Sequence, residues 1–432
     1  MLSSSPVTAA EAVRLRATRR AGTVADMVGI GTDIAAANTT RYGDISLVGR
    51  SLNELGIKHL REPMVLPSTN ETQALNQREG WKRLAETVPG LTVTSVIGKI
   101  DNSQGTVAEY ADYVRASLGG GAGVVAGVEN GNEPNAPKRY WNHDDEYGWV
   151  PLVRKRQEQM AREFGGGSGL EAIDVLGPSL SGGKAPLQYQ RLGDISAHLD
   201  VGNFHLYPGN TATGMPSDEL DDVITGIKNN IGDAPYWCTE VGMHQGRDSA
   251  AAMAFYPEEV AAEYIARIPL EHFNRGVSRV YLYELLDQRP DPEHVDSKAH
   301  FGLVRATDPP TQKPAFRTVQ RLLSLLRDSG PSFTPSGRSL TLRHVPGDCR
   351  YVVLEKSDSR RYLCLWRDVQ LWDLREERAV AVDPVRVDVE LDRPAGVRTY
   401  VPSASADPVS TRAAVTRMPV ELAESVVILE IA

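Results

Sequence analysis

Cysteine is scarce: Cys238, Cys349 and Cys364 are the only three in 432 residues. That number is too small for a disulfide framework, and the spacing fits no zinc motif. Cys349 and Cys364 are placed to meet across a hairpin, although two free thiols are the simpler expectation. The nine histidines are scattered, and no H-x-H closes an early strand. A divalent-metal hydrolase is therefore disfavoured, and neither a metal nor another cofactor is expected. No run approaches the roughly 18 apolar residues of a membrane span. Cationic charge is also short, with 47 Lys and Arg against 56 Asp and Glu and a net charge of −9. That balance excludes the basic face needed for nucleic acid or an anionic membrane. The local basic clusters "RLRATRR" (14–20) and "VRKRQ" (153–157) read as solvated helix faces. The opening "MLSSSPVTAAEAVRLRATRR" lacks the basic-then-apolar layout of a leader. A cytoplasmic protein is expected, or a secreted one if a leader has been removed, and in either case a monomer.

What is present is a regular alternation of short apolar runs with amphipathic stretches. Eight runs read as strands: 26–33, 56–62, 91–98, 123–133, 173–179, 199–207, 234–240 and 277–285. Helices are predicted between and after them, among them 45–55, 105–118, 258–274 and 315–328. Repeated βα units imply parallel strands, and eight of them over about 300 residues imply a (β/α)8 TIM barrel. The glycine runs "GGGAG" (119–123) and "GGGSG" (165–169) lack the Lys-Ser/Thr of a phosphate loop and read as connections. Beyond "DSGPSFTPSG" (328–337) the pattern turns to short alternating runs, "SLTLRHV", "RYVVLEK", "RYLCLWRD", "VRVDVELD" and "SVVILEIA". These predict a small antiparallel β-sandwich. The expected division is a barrel over 1–329 and a sandwich over 330–432.

A barrel places its chemistry at the carboxyl ends of its strands. The second predicted strand ends in Arg61-Glu62 and the fourth in Asn132-Glu133. The sixth carries His205 and Tyr207, the seventh ends in Glu240, and the eighth presents Tyr283 and Glu284. Glu133 is followed by Pro134, which ends the strand and biases the residue before it towards extended backbone. Glu133 and Glu240 lie 107 positions apart, about three βα units of roughly 35 residues, so they face one another across the barrel mouth. Two such carboxylates suit glycoside hydrolysis, one as proton donor and one as nucleophile or base. Each residue also has a structural reading. Arg61 and Glu62 would form a surface ion pair, His205 a core histidine, Tyr283 and Glu284 a plug, and Trp237 a packing residue.

The "NEP" tripeptide (132–134), the lone glutamate of "YWCTEVGMH" and the segment "YLYELLDQRPDP…HFGLVRATDPPTQKPAF" (281–316) carry a resemblance. Together they resemble clan A glycoside hydrolases, in particular families 39, 5 and 30, and the similarity spans the barrel and the carboxyl-terminal sandwich. The resemblance implies a retaining double displacement with Glu133 as acid/base and Glu240 as nucleophile. It further implies that Asn132 bonds the sugar 2-hydroxyl and that Tyr207 and Arg61 hold the nucleophile. His205 would line the sugar subsite. The pattern departs at strand one, where Asp33 replaces a frequent histidine, and at strand eight, which has no tryptophan platform. Trp141, Trp149 and Trp237 are the candidates to stack on sugar instead. The substrate implied is an oligosaccharide or polysaccharide. The reading of a different class is a catalytically silent barrel that only binds glycan.

Overall fold

The computed structural model describes residues 10–117, 124–136, 148–181, 185–247 and 254–432. Eight parallel strands form one sheet: Val28–Gly31, His59–Met64, Thr92–Ile97, Val125–Asn130, Asp174–Leu176, Gly202–His205, Tyr236–Val241 and Arg279–Leu282. They are called the first to eighth barrel strands below. Neighbours run fifth-fourth-third-second-first-eighth-seventh-sixth. The isolated parallel bridges Leu176–Val201 and Leu180–Phe204 join the fifth strand to the sixth and bring the sheet nearly to closure. All four residues of the first strand are buried. That is the pattern of a parallel strand covered on one side by helices and on the other by the barrel interior.

Local chemistry sets the helices as the sequence predicts. The Asp44 carboxylate accepts from the Leu47 N–H at 2.9 Å and caps helix Ile45–Leu55. Gly56 ends that helix at φ 70°, a left-handed position glycine adopts without cost. Pro314 opens helix Pro314–Leu326, where its missing N–H leaves no bond unmade. The buried face of that helix, including Phe316, Val319, Leu322, Leu323 and Leu326, follows the 3.6-residue period. Among the described residues no helix is long and apolar enough to cross a membrane.

The carboxyl-terminal part is a second, largely antiparallel sheet. Its longest strand, Val385–Tyr400, pairs with Ser339–Val345 through its first half and with Val427–Ile431 through its second. Register shifts in its pairing with Ser410–Leu422, between Glu390 and Val397, interrupt the ladder between those two halves. Alternation divides the strands cleanly. Val353, Leu363, Leu365 and Leu429 face the sandwich's own core. Val352, Leu354, Tyr362, Cys364, Trp366 and Ile428 join the core of the barrel. Trp366 seals that junction by donating its Nε1–H to the buried Glu271 at 2.5 Å.

Two sequence expectations change here. Residues 14–20 are no helix face: Ala10–Arg16 pairs antiparallel with Ser339–Val345, and Arg19–Arg20 pairs with the end of Cys349–Glu355. Residues expected with the barrel thus add to the sandwich sheet, because an edge strand there had room for a partner more than 320 positions away. In the second cluster, Arg156 is buried and donates to the Ile97 carbonyl rather than to water. All three cysteines are free and buried. Cys349 stands opposite Arg367 and Cys364 opposite Val352, so the hairpin register holds the two thiols apart.

Candidate active site

The second strand alternates its side chains, and this separates Arg61 from Glu62. Arg61 points into the barrel mouth, is 5% exposed, and makes two parallel bonds of 2.8 Å to Glu129 on the fourth strand. Its guanidinium also donates to Glu240 and, at 2.7 Å, to Asn132 Oδ1. Burial alone would weaken this cation, but the two carboxylates outweigh it and hold Arg61 firmly charged. Burial likewise opposes ionisation of Glu129. The Arg61 charge wins, and the Glu129 pKa falls below the ordinary glutamate value.

Glu62 faces the other way, into a pocket behind the strand. It accepts from the Thr32 hydroxyl at 2.9 Å, the Gln77 amide at 2.7 Å, the Ala35 N–H at 3.1 Å and the Trp81 indole at 3.3 Å. With no cation there, burial pushes its pKa up to about 7. The alternative reading of Arg61 and Glu62 as a surface ion pair does not hold; both groups are buried and engaged elsewhere.

Glu133 follows an isolated bridge between Asn132 and Ser179 that prolongs the fourth strand. The bias of Pro134 predicts extended backbone for Glu133, yet its φ is 47°. A left-handed, non-glycine residue costs roughly 1–3 kcal/mol and persists only where surroundings impose it. The surroundings here are the Ala136 N–H on the Glu133 carbonyl at 3.0 Å and Asn135, bonded to the Ser181 carbonyl at 2.8 Å and to its N–H at 3.1 Å. The result brings a Glu133 oxygen to 3.1 Å from Nδ1 of His205.

His205 is fully buried, and its tautomer can be read from its neighbours. The Thr239 hydroxyl donates its single hydrogen to Asn203 Oδ1 at 2.7 Å, and the Asn203 amide is oriented by the Gly177 carbonyl. Thr239 must then accept from His205 Nε2–H at 3.0 Å. That leaves Nδ1 towards the carboxyl groups, 3.1 Å from Glu133 and 3.6 Å from Glu240, with a proton shared across the shorter contact. His205 is thus a polar hinge between the two glutamates. Tyr207 donates its phenol to the second Glu240 oxygen at 2.5 Å. Burial first, then the neighbouring Glu240 charge, raises the Tyr207 pKa far above the usual phenol range, so it stays a donor.

The structure brings Arg61, Asn132, Glu133, His205, Tyr207 and Glu240 into one network. Tyr283 flanks it: its ring meets Tyr207 edge-on at 6.3 Å and Phe301 at 5.3 Å. Glu284 lies apart, fully buried, accepting from the Tyr42 hydroxyl at 3.0 Å, with burial raising its pKa well above normal. It seals the barrel end. Asp33 ends the first strand with its pKa raised by burial, and its negative field reaches Glu62, Tyr283 and Glu284. Trp141 lies outside the described residues. Trp149 and Trp237 are buried, the latter packed on Tyr281 and Arg279 within the barrel, so neither offers a sugar platform. Phe301, half-buried beside Tyr207 and Tyr283, supplies aromatic surface where strand eight lacks tryptophan.

Glu129, Thr239, Asn203 and Phe301 escaped the sequence reading. A glutamate inside the apolar run "GVVAGVENG" carried one usable signal, since a charge buried in a strand demands a cation on a neighbouring one.

No protein-family model and no curated protein sequence matches the chain. Solved structures do match in shape. A glucosidase from Croceicoccus marinus aligns over 96% of both chains with a TM-score of 0.61 at 13% identity. A family 51 α-L-arabinofuranosidase from Bifidobacterium longum aligns over 99% of both with a TM-score of 0.57 at 12% identity. The family 30 xylanase C catalytic domain from Talaromyces cellulolyticus does so over 99% of both, with a TM-score of 0.52 at 12% identity. The chain shares the fold of these glycoside hydrolases, a (β/α)8 barrel joined to a β-sandwich. In that fold the network just described occupies the carboxyl ends of the strands, at the barrel mouth where active sites form.

Proposed function

We propose that this chain is a retaining glycoside hydrolase in which Glu240 is the nucleophile and Glu133 the acid/base. One observation carries the reading: a carboxylate oxygen of Glu133, one of Glu240 and a ring nitrogen of His205 lie within 4.8 Å of one another, which puts the two carboxyl groups on one short contact. Retaining enzymes hold their carboxyl groups about 5–5.5 Å apart, whereas inverting ones need about 6.5–9.5 Å to admit a water. The fold neighbours support the same bond class, being a glucosidase, an arabinofuranosidase and a xylanase.

In the first step Glu133 gives its proton to the glycosidic oxygen while Glu240 attacks the anomeric carbon, forming a glycosyl ester and releasing the aglycone. In the second, Glu133 takes a proton from water as that water attacks the same carbon and frees Glu240. Arg61 and Tyr207 donate to opposite oxygens of Glu240 and fix its direction of attack. His205 Nδ1 positions Glu133 for both transfers, and Asn132, anchored by Arg61, faces the sugar 2-hydroxyl. The substrate is a carbohydrate. The neighbours differ in their sugars, so the test is a panel of aryl glycosides and polysaccharides across sugars, run with Glu240→Gln in parallel. Turnover by the wild type that vanishes in the variant is expected. Silence across the panel from folded protein would instead favour a barrel that only binds glycan.

A further inference from the structure

The sequence scatters its histidines, yet the fold gathers one of them with two carboxylates. We propose that the Glu133, His205 and Glu240 cluster is also a binding site for a zinc-like divalent ion, which occupies the catalytic centre and inhibits it. The binding half of this inference rests on geometry alone; the inhibition half rests on the proposed function.

Zinc takes imidazole nitrogen and carboxylate oxygen at about 2.0–2.2 Å in a tetrahedron, which sets ligand atoms about 3.3–3.5 Å apart. His205 Nδ1 stands 3.1 Å from Glu133 Oε1 and 3.6 Å from Glu240 Oε2, on either side of that value. All three ligand atoms fall within 4.8 Å of one another, and an ion there would take the Glu240 Oε2 lone pair now bonded by Tyr207. The imidazole is oriented to take a metal at Nδ1: its Nε2–H is spent on Thr239, itself held by Asn203, and Nδ1 faces the carboxyl groups, where the proton it shares with Glu133 would leave as the ion enters. Metal-ligating histidines are oriented by just such an outer bond. Charge agrees, since two carboxylates, Glu129 and Glu240, share the one guanidinium of Arg61. Three protein ligands leave a fourth position for water at the open mouth, where the Glu240 side chain is 13% exposed. A nitrogen-containing three-ligand set suits zinc or cobalt and not magnesium, which requires six oxygens in an octahedron.

The test is calorimetric titration of chelator-treated protein with zinc chloride, magnesium chloride and cobalt chloride, the last also followed by visible absorption. One zinc per chain, the intense bands of four-coordinate cobalt and no magnesium heat are expected. His205→Ala should abolish binding. Thr239→Val keeps every ligand but frees the ring, and should weaken zinc by about 10–100-fold; it decides the matter if His205→Ala does not fold. Equal zinc affinity in wild type and both variants, or no binding at all, would overturn the site. Zinc should raise the apparent KM for a cleaved glycoside without changing kcat, reversibly on adding chelator. Activity indifferent to bound zinc would overturn the inhibition. Zinc bound at this site by a protein that cleaves nothing would uphold the site and refute the hydrolase reading instead.

Discussion

Glu129 and Glu62 are equally inaccessible, at 0% and 1% exposure, yet their acidities move in opposite directions. Glu129 shares the Arg61 guanidinium with Glu240 and is held below the ordinary glutamate value despite burial. Glu62 has four donors but no cation, and burial lifts it to about 7. Glu284 behaves like Glu62, with Tyr42 and Gln288 as its side-chain partners among the described residues. The barrel mouth is therefore two regions. Beside Arg61 the Glu129 carboxyl is held as a charge. Behind the second, eighth and first strands the carboxyl groups tend towards neutral acids that support the wall. Burial sets the cost of ionisation, and one arginine decides where that cost is met.

The deepest test of the first region is its nucleophile. Glu240→Gln should lower kcat/KM by on the order of 10⁴-fold or more while leaving the fold intact, as read by steady-state kinetics and circular dichroism. Arg61→Met attacks the distinction itself by stripping Glu129 of its cation. Breaking one partner of a buried pair costs about 3–5 kcal/mol, which a denaturant titration at pH 7 would report. The sign with pH follows. Glu129 is depressed in the folded state, so its contribution is complete above the ordinary glutamate value and is lost as pH falls through its folded pKa. The variant should lose that acid dependence.

Glu62 supplies the opposite slope. Its folded pKa of about 7 lies above the unfolded value near 4.5, so the folded state binds the extra proton between them. Stability should fall by on the order of 3 kcal/mol as pH rises across that window, then level off. Carboxyl carbon resonances of glutamate-labelled protein would check this directly, with Glu62→Gln used to assign the signal. Titration of Glu62 near 7, and no titration of Glu129 above the ordinary range, would sharpen the comparison; a shared midpoint would erase it.

How much of this could be read from residues alone follows the range of the signals. Alternation and turn residues are local, so the barrel, the sandwich and Arg61, Asn132, Glu133, His205, Tyr207 and Glu240 at strand ends were visible. The chain-start strand Ala10–Arg16 was not, because its partner Ser339–Val345 is remote and its own run "AEAVRLR" reads as a charged helix. Proline chemistry misled at Glu133, where tertiary bonds impose φ 47° against local preference. Glu129 and Thr239 were hidden for a related reason: their meaning lies in which strands become neighbours.

A smaller effect is expected from Tyr207→Phe, which removes one donor from Glu240. Bonds to charged groups are worth about 1.5–3 kcal/mol, so kcat should fall by about 10–150-fold with little change in stability. Smallest in activity is Trp366→Phe at the sandwich junction. It leaves Glu271 Oε1 without its indole donor and should cost about 1–3 kcal/mol by denaturant titration, with kcat unchanged.

The central claim is that Glu240 forms the covalent bond. Incubating the protein with a 2-deoxy-2-fluoro aryl glycoside of a sugar it cleaves, then mapping peptides by mass spectrometry, tests it most directly. The account predicts one fluoroglycosyl adduct on the peptide bearing Glu240. An adduct on Glu133 or any other residue, or turnover with no adduct and an inverted first product, would contradict it.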